Sequence, residues 1–332
     1  MADNRMTLLD FAKSQDPNGA QAQVLELQNQ FSPILQDAPA YPSNAPYGHR
    51  ITLRRSLPAV GTAKLNKGVT KSKSTTDQRV DTIGFFSGRS EVDVRFRKVE
   101  GDGAFASKRK DEDAAFEEAL AQLITNTTFY GDVRSDEASF DGLAIRMGTL
   151  NPGTSLVDPQ VQSMGTVTGA DGCSLYVVDW GERAAHLIYN PNVTAGLDVA
   201  DLGEQSVLDV DSNPFQAAVT LYEQFVGLAI KDPRHIGRLA NIDLSDALVD
   251  APTQGKLFDK MELIFAQMPE PGGANRVIYC PLKLYAGFLK QARSVSNLAL
   301  SMGEYLGKPT PMMWGYPLRR SDQLAVNEAT VS

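Results

Sequence analysis

The chain has 332 residues, 42% of them hydrophobic and 22% charged, with 27 Gly and 18 Pro. That composition excludes collagen-like, low-complexity and wholly disordered classes, and the length suffices for one large core or two smaller ones at ~100–200 residues per domain. No run approaches the ~18–20 apolar residues of a membrane-spanning helix. The opening MADNRMTLLDFAKSQD lacks the apolar centre of a signal peptide, and two cysteines, Cys173 and Cys280, cannot build a disulfide framework. The expectation is a chain kept in a reducing cytosol.

The net charge of −8 is unevenly spread. Between Arg50 and Lys110 there are 15 Lys and Arg against 6 acids, a net of +9, which leaves the remainder at −17. A basic segment inside an acidic molecule has three readings: a solvated loop, a reach onto the acidic surface of another copy, or a site for nucleic acid. The run GTAKLNKGVTKSKSTTDQR has no aromatic to stack on bases.

In chain order, residues 7–31 predict two short helices. The first is opened by Thr7 with Asp10 as a capping box, and the second carries Ala22, Val24, Leu25 and Leu27. Prolines at 39, 42 and 46 then stop any helix, so the first ~46 residues form an arm too small for a core of its own. HRITLRRSLP, RVDTIGFFSG and SEVDVRFRKVE predict three strands, the first two joined by a long polar tip. A long hairpin of that kind is marginal without a partner to lie on. Over 107–127, Phe116, Leu120, Leu123 and Ile124 form one stripe of a long helix, with Ser107 as N-cap and Gly131 as the stop. SLYVVDWG and RAAHLIYNP predict a strand pair turning at Gly181, and Val219–Ile230 a further strand. Leu257, Phe258, Met261, Ile264 and Phe265 predict a second amphipathic helix. RVIYC predicts a buried strand, and Pro281 opens a helix with Leu284, Tyr285, Phe288 and Leu289. MMWGYPLRRSD and QLAVNEATV close the chain as turn and strand. Helices and strands mix without βα alternation, which is the α+β class.

Sites for chemistry are absent from the sequence pattern. GDGAFA (Gly101, Gly103, Ala106) mimics a dinucleotide fingerprint, but the strand before it is charged at alternate positions and reads as half-exposed. DVDSN (Asp209, Asp211, Asn213) opens like a calcium loop, yet Pro214 and Thr220 stand where Gly and Glu are needed. His49, His186 and His235 are far apart in sequence and neither cysteine has a second at metal-ligand spacing, so no metal and no cofactor are expected. Each Cys reads as a small buried hydrophobe. No G-x-S-x-G, P-loop or H-E-x-x-H occurs, and the chain reads as structural rather than as an enzyme.

The order of parts, an arm, a basic hairpin, a long helix and a mixed remainder, resembles the major capsid proteins of tailed bacteriophages. Local phrases resemble that family too. They are the Gly-Asp turn and Phe-x-Gly-Leu unit of Gly131, Asp132, Phe140, Gly142 and Leu143, and the strand phrase of Trp180, Gly181, Tyr189, Pro191 and Gly196. GLAIKDPRHIGRLANID, with Asp232, Pro233, Arg238, Asn241 and Ile242, is similar to the short-tailed branch. The ending carries Gly315, Pro317, Leu318, Asp322 and Glu328.

The resemblance implies a shell subunit with an N-terminal arm over 1–46 and an extended loop plus a peripheral-domain strand over 47–106. The spine helix and peripheral domain would take 107–150, a mainly axial domain 151–310 and a C-terminal strand 311–332. Copies would meet as pentamers and hexamers of an icosahedral virion assembled in the host cytoplasm and enclosing double-stranded DNA without sequence-specific binding. A separate scaffolding protein, a portal and a decoration protein are the partners it implies; no membrane is involved. Contact residues on the extended loop would be Arg54, Arg55, Lys64, Lys67, Lys71 and Lys73, with no acceptor assignable for a covalent cross-link. A +9 extension and a −17 remainder on identical subunits are self-complementary. Competing readings are a bacterial nanocompartment shell, an enzyme with a spatially assembled site, and a nucleic-acid binder.

Overall fold

The computed structural model describes residues 32–151, 153–165, 167, 171–193, 196–244, 251–292 and 300–332. The two helices expected over 7–31 lie outside them. Helices and strands are mixed, as the α+β class requires, and contacts divide the chain into two compact units.

The first unit takes in 85–124 and 196–225. Strands β7 (Asp198–Leu208) and β8 (Pro214–Ile230) form a long antiparallel hairpin, registered from Asp198↔Glu223 to Leu208↔Pro214. The DVDSN phrase is its turn. Asp209 accepts from the backbone N–H of Asp211 and Asn213 at 2.9 and 2.7 Å, so its carboxylate closes a turn. Helices α2 (Arg95–Glu100) and α3 (Asp102–Tyr130) belong to this unit as far as Ile124. Val92, Phe105 and Ala218 bury together with Phe96 against them, and the Phe116 ring stacks on Tyr222 at 5.6 Å.

Three expectations are corrected here. The two strands expected over RVDTIGFFSG and SEVDVRFRKVE are one, β3 (Thr75–Asp93), and RFRKVE is helix α2. Alternating charge fits a half-exposed strand, but Phe96 turns into the core while Arg97 reaches Glu204 at 2.5 Å, which a helical turn permits. The long helix starts at Asp102 rather than at Ser107, and Gly101 at φ +89° separates it from α2. Leu123 is 49% exposed and leaves the apolar stripe, whereas Leu120 and Ile124 are buried.

The second unit takes in the described part of 31–84, together with 125–195 and 226–332. Its centre is β5 (Gly172–Trp180), buried along its whole length. Two strands flank it, both antiparallel: β9 (Ile236–Asp243) and β10 (Asn275–Cys280). Strand β4 (Gln160–Ser163) lies parallel to β9. Beyond β10 come β13 (Tyr316–Arg320), then β12 (Lys308–Met313), then β11 (Leu300–Tyr305). Two-residue turns with positive φ at both positions, Leu306–Gly307 and Trp314–Gly315, close this meander, the turn geometry that matches strand twist. Helices α5 (Ala251–Gln267) and α6 (Leu282–Ala292) pack Leu257, Met261, Ile264, Leu284 and Phe288 onto Leu175, Val177, Leu239 and Ile278. Both stripes are those the sequence predicts.

Strands β5 and β6 (Ala185–Tyr189) do not form the expected pair. They meet only at Trp180↔Ala185; β6 instead pairs antiparallel with β8 and parallel with β1 (Ala40–Pro42), behind the short α1 (Ile34–Asp37). The closing strand is β13 alone, and 321–332 carries no strand. Gly131 ends α3 as expected, its N–H on the Thr127 carbonyl at 2.8 Å, and Gly142 after it donates to the Gly131 carbonyl at 2.8 Å. The short helix α4 (Leu143–Arg146) follows. A Cβ on Gly131 would stand 2.3 Å from the Phe140 carbonyl oxygen. Gly131→Ala should therefore cost about 1–3 kcal/mol, whereas Gly103→Ala, at a helical position in open space, should stabilise by up to about 1 kcal/mol; urea denaturation checks both.

Candidate assembly surface

Strand β2 (Gly48–Ser56) pairs antiparallel with β3 from Gly48↔Thr82 to Ser56↔Thr75. The 57–74 segment between them has neither helix nor strand. Lys64, Lys67, Lys71 and Lys73 are all exposed on it, without an ion-pair partner among the described residues. Leu57, Val60, Leu65 and Val69 are exposed beside them, Leu65 at 94%. Charge is only half of the chemistry of this segment, since Leu65 and Val69 stand among the lysines and Leu57 and Val60 just before them. Arg54 and Arg55 sit at the end of β2, and only Arg55 is engaged, with Asp158 at 2.7 Å and Asp77 at 3.8 Å. The structure thus holds the six residues on one hairpin, the four lysines in its 57–74 tip and the two arginines at the end of β2 where that tip begins.

The root is held by a buried carboxylate. Asp81 on β3 takes Arg146 at 2.8 Å and Arg79 at 3.0 Å, and its other oxygen accepts the Ile230 N–H at 3.0 Å. Arg146 also donates to the Leu228 carbonyl at 3.0 Å. Asp179 plays the same part on β5, receiving Arg276 at 2.6 Å and the His235 Nδ1 at 2.7 Å. Burial raises the Asp37 carboxyl, opposed by Arg319 at 3.5 Å and by hydrogen bonds from Tyr279 and Tyr305. No local motif announces the Arg146–Asp81 or the Arg276–Asp179 pair, because each joins segments distant in sequence.

The chain's end is seated the same way. Glu328 accepts from Arg238 at 2.9 Å, from Tyr130 at 2.5 Å and from Ser174, while its backbone N–H bonds the Gly172 carbonyl at 2.8 Å. Asn241, at φ +58°, exchanges two hydrogen bonds with Val331 at 2.8 and 2.9 Å. Arg238, Asn241 and Glu328 were quoted above from two separate phrases; the fold joins them into one clasp, and burial raises the Tyr130 phenol within it. Cys173 and Cys280 are buried and their thiols are raised by burial, as small hydrophobes should be. His49 and His186, distant in sequence, meet edge to face at 5.8 Å.

A hairpin that exposes lysines and apolar side chains together over 57–74, beside one long helix, offers surface for a neighbour. The chain belongs to the family described as major capsid protein GP7, whose model matches residues 16–332. It is a shell-forming capsid protein of the bacteriophage virion. Among solved structures, a chain of bacteriophage Epsilon15 is 21% identical with TM-score 0.71, over 100% of this chain and 98% of that one. The bacteriophage JBD30 capsid is 12% identical with TM-score 0.52, over 90% and 93%. An encapsulin complex from Synechococcus elongatus is 12% identical with TM-score 0.45, over 72% and 97%. No curated protein sequence matches.

Two outcomes follow from the buried charges. Glu328→Ala leaves Arg238 buried and unpaired, so stability should fall by about 3–5 kcal/mol, and limited proteolysis should release the last residues first. The second concerns His186, which is wholly buried. Burial, with Lys231 and His49 nearby, lowers its pKa to about 4. The unfolded chain titrates near the ordinary 6.5, so it binds the proton first and stability falls as pH drops from about 6.5 towards 4. The loss should be about 2–3 kcal/mol, and His186→Gln should flatten that part of a stability-against-pH curve.

Proposed function

We propose that this protein builds the icosahedral shell around double-stranded DNA of a short-tailed phage, and that it does so by laying the 47–106 extension on a neighbouring copy. The observation that carries the reading is the 57–74 tip, with four unpaired lysines and four exposed apolar side chains and no strand or helix of its own. Exposed apolar surface of that kind marks an interaction site, and an acidic remainder on each copy supplies the complementary field. In this reading 107–150 is the spine helix and peripheral domain and 151–310 the mainly axial domain, closed by the 311–332 segment with β13. Copies join as pentamers and hexamers in the host cytoplasm. A separate scaffolding protein, a portal and a decoration protein are its further partners, and the chain catalyses nothing. DNA is enclosed without sequence reading, which suits an acidic chain that must later release it.

The test is negative-stain electron microscopy with light scattering on the full-length chain, alone and with its scaffolding protein. Closed shells or five- and six-fold rings are expected from wild type. Lys64→Glu, Lys67→Glu, Lys71→Glu and Lys73→Glu together should cut particle yield about tenfold or more with the far-ultraviolet spectrum unchanged. Unchanged yield would refute docking by charge, and a stable monomer under both conditions would refute the shell reading.

A further inference from the structure

Where β2 ends and the 57–74 segment begins lies a cavity of about 490 Å³, lined there by Leu53 to Leu57, within the range of ~300–1,000 Å³ usual for ligand sites. Segments distant in sequence bring five cations to it, Arg54, Arg55, Arg183, Lys231 and Arg234, against a single lining carboxylate, Asp232. Two of the five are engaged: Arg234 is clamped by Asp232 at 2.6 Å and Arg55 by Asp158 at 2.7 Å. Arg54, Arg183 and Lys231 have no ion-pair partner among the described residues, and Lys231 is half-buried. An ammonium withdrawn from water without a counter-charge is a cost the folded chain leaves uncompensated.

We propose that this cavity is an anion seat that receives a carboxylate-bearing segment from a second copy of the chain. This rests on the shell reading above and adds a second, separate contact to the docking of the hairpin tip. Two observations select carboxylates over nucleic-acid phosphates. No aromatic side chain lines the cavity to stack a base, and each copy carries a −17 remainder outside 50–110, so a neighbour presents mainly acids. The seat lies at the base of the 57–74 tip, where Leu57 leaves β2. A segment bound there would fix the direction in which the tip leaves the strand.

Lys231 is the only amine on the cavity wall and reports on the occupant directly. Shells assembled from mixed ¹⁴N and ¹⁵N full-length chains are treated with a carbodiimide, which joins an amine to a carboxylate in contact with it, and the linked peptides are read by mass spectrometry. The expected result is Lys231 joined to Asp or Glu in mixed-isotope pairs. Arg54→Glu with Arg183→Glu, both exposed positions, should lower that link and the shell yield about tenfold at an unchanged melting temperature, whereas Arg54→Lys with Arg183→Lys should retain both. Shells in which Lys231 links only within its own chain, or not at all, would overturn the seat and leave the shell reading intact. Binding of a thymidine 20-mer that needs Arg54 and Arg183, without a cross-copy link, would overturn it in favour of nucleic acid. Failure of wild type to form shells under any condition would overturn both.

Discussion

The hairpin tip cannot satisfy itself, and that constraint organises the molecule. Leu57, Val60, Leu65 and Val69 stand in solvent, where each apolar side chain forgoes on the order of 1.5–3 kcal/mol of possible burial. The lysines between them oppose collapse of the tip onto itself. A segment of this composition gains by lying on another surface, and the chain must hold it out where such a surface can be reached.

In the proposed docking, the strand that carries the tip is fixed by buried charges. Asp81 fastens β3 to the Arg146 side chain and the Ile230 backbone, so the root of the hairpin is tied to two other segments of its unit. Arg276 and His235 converge on Asp179, and Arg238 and Tyr130 on Glu328. Buried ion pairs add little net stability over apolar packing, but they accept few alternative arrangements. They are suited to a subunit whose parts must keep fixed positions while its extension is engaged elsewhere. The apolar packing of α5 and α6 on β5, β9 and β10 forms a buried cluster in this unit.

What could be read from the sequence was whatever has a short period. The stripes of α5 and α6, the buried RVIYC strand, the β2–β3 hairpin and the Gly131 stop all follow from residues within a few positions of one another. RFRKVE was misread because its charges alternate in a way that also suits a helix, and only the Phe96 core contact and the Arg97–Glu204 pair decide between them. The β5–β6 pairing was misread because a turn at Gly181 says nothing of which strand each partner takes next. At the assembly surface the six basic residues were legible as a charge run, whereas the exposed leucines and valines among them drew no attention in a window read for charge. The clasp of Arg238, Asn241 and Glu328 lay in plain view as phrases, but contact across about 90 residues has no local signature. His186 meeting His49 is the same case.

Because the 57–74 segment forms no helix or strand and stands exposed, its backbone should report assembly directly. Hydrogen exchange of the 57–74 amides, followed in the unassembled chain and in purified shells, measures whether they gain cover. The account predicts fast exchange in the free subunit and at least about tenfold slower exchange across this segment in shells, with the β5 and β10 amides slow in both. Equally fast exchange of 57–74 in intact shells would contradict it, since the hairpin tip would then be lying on nothing.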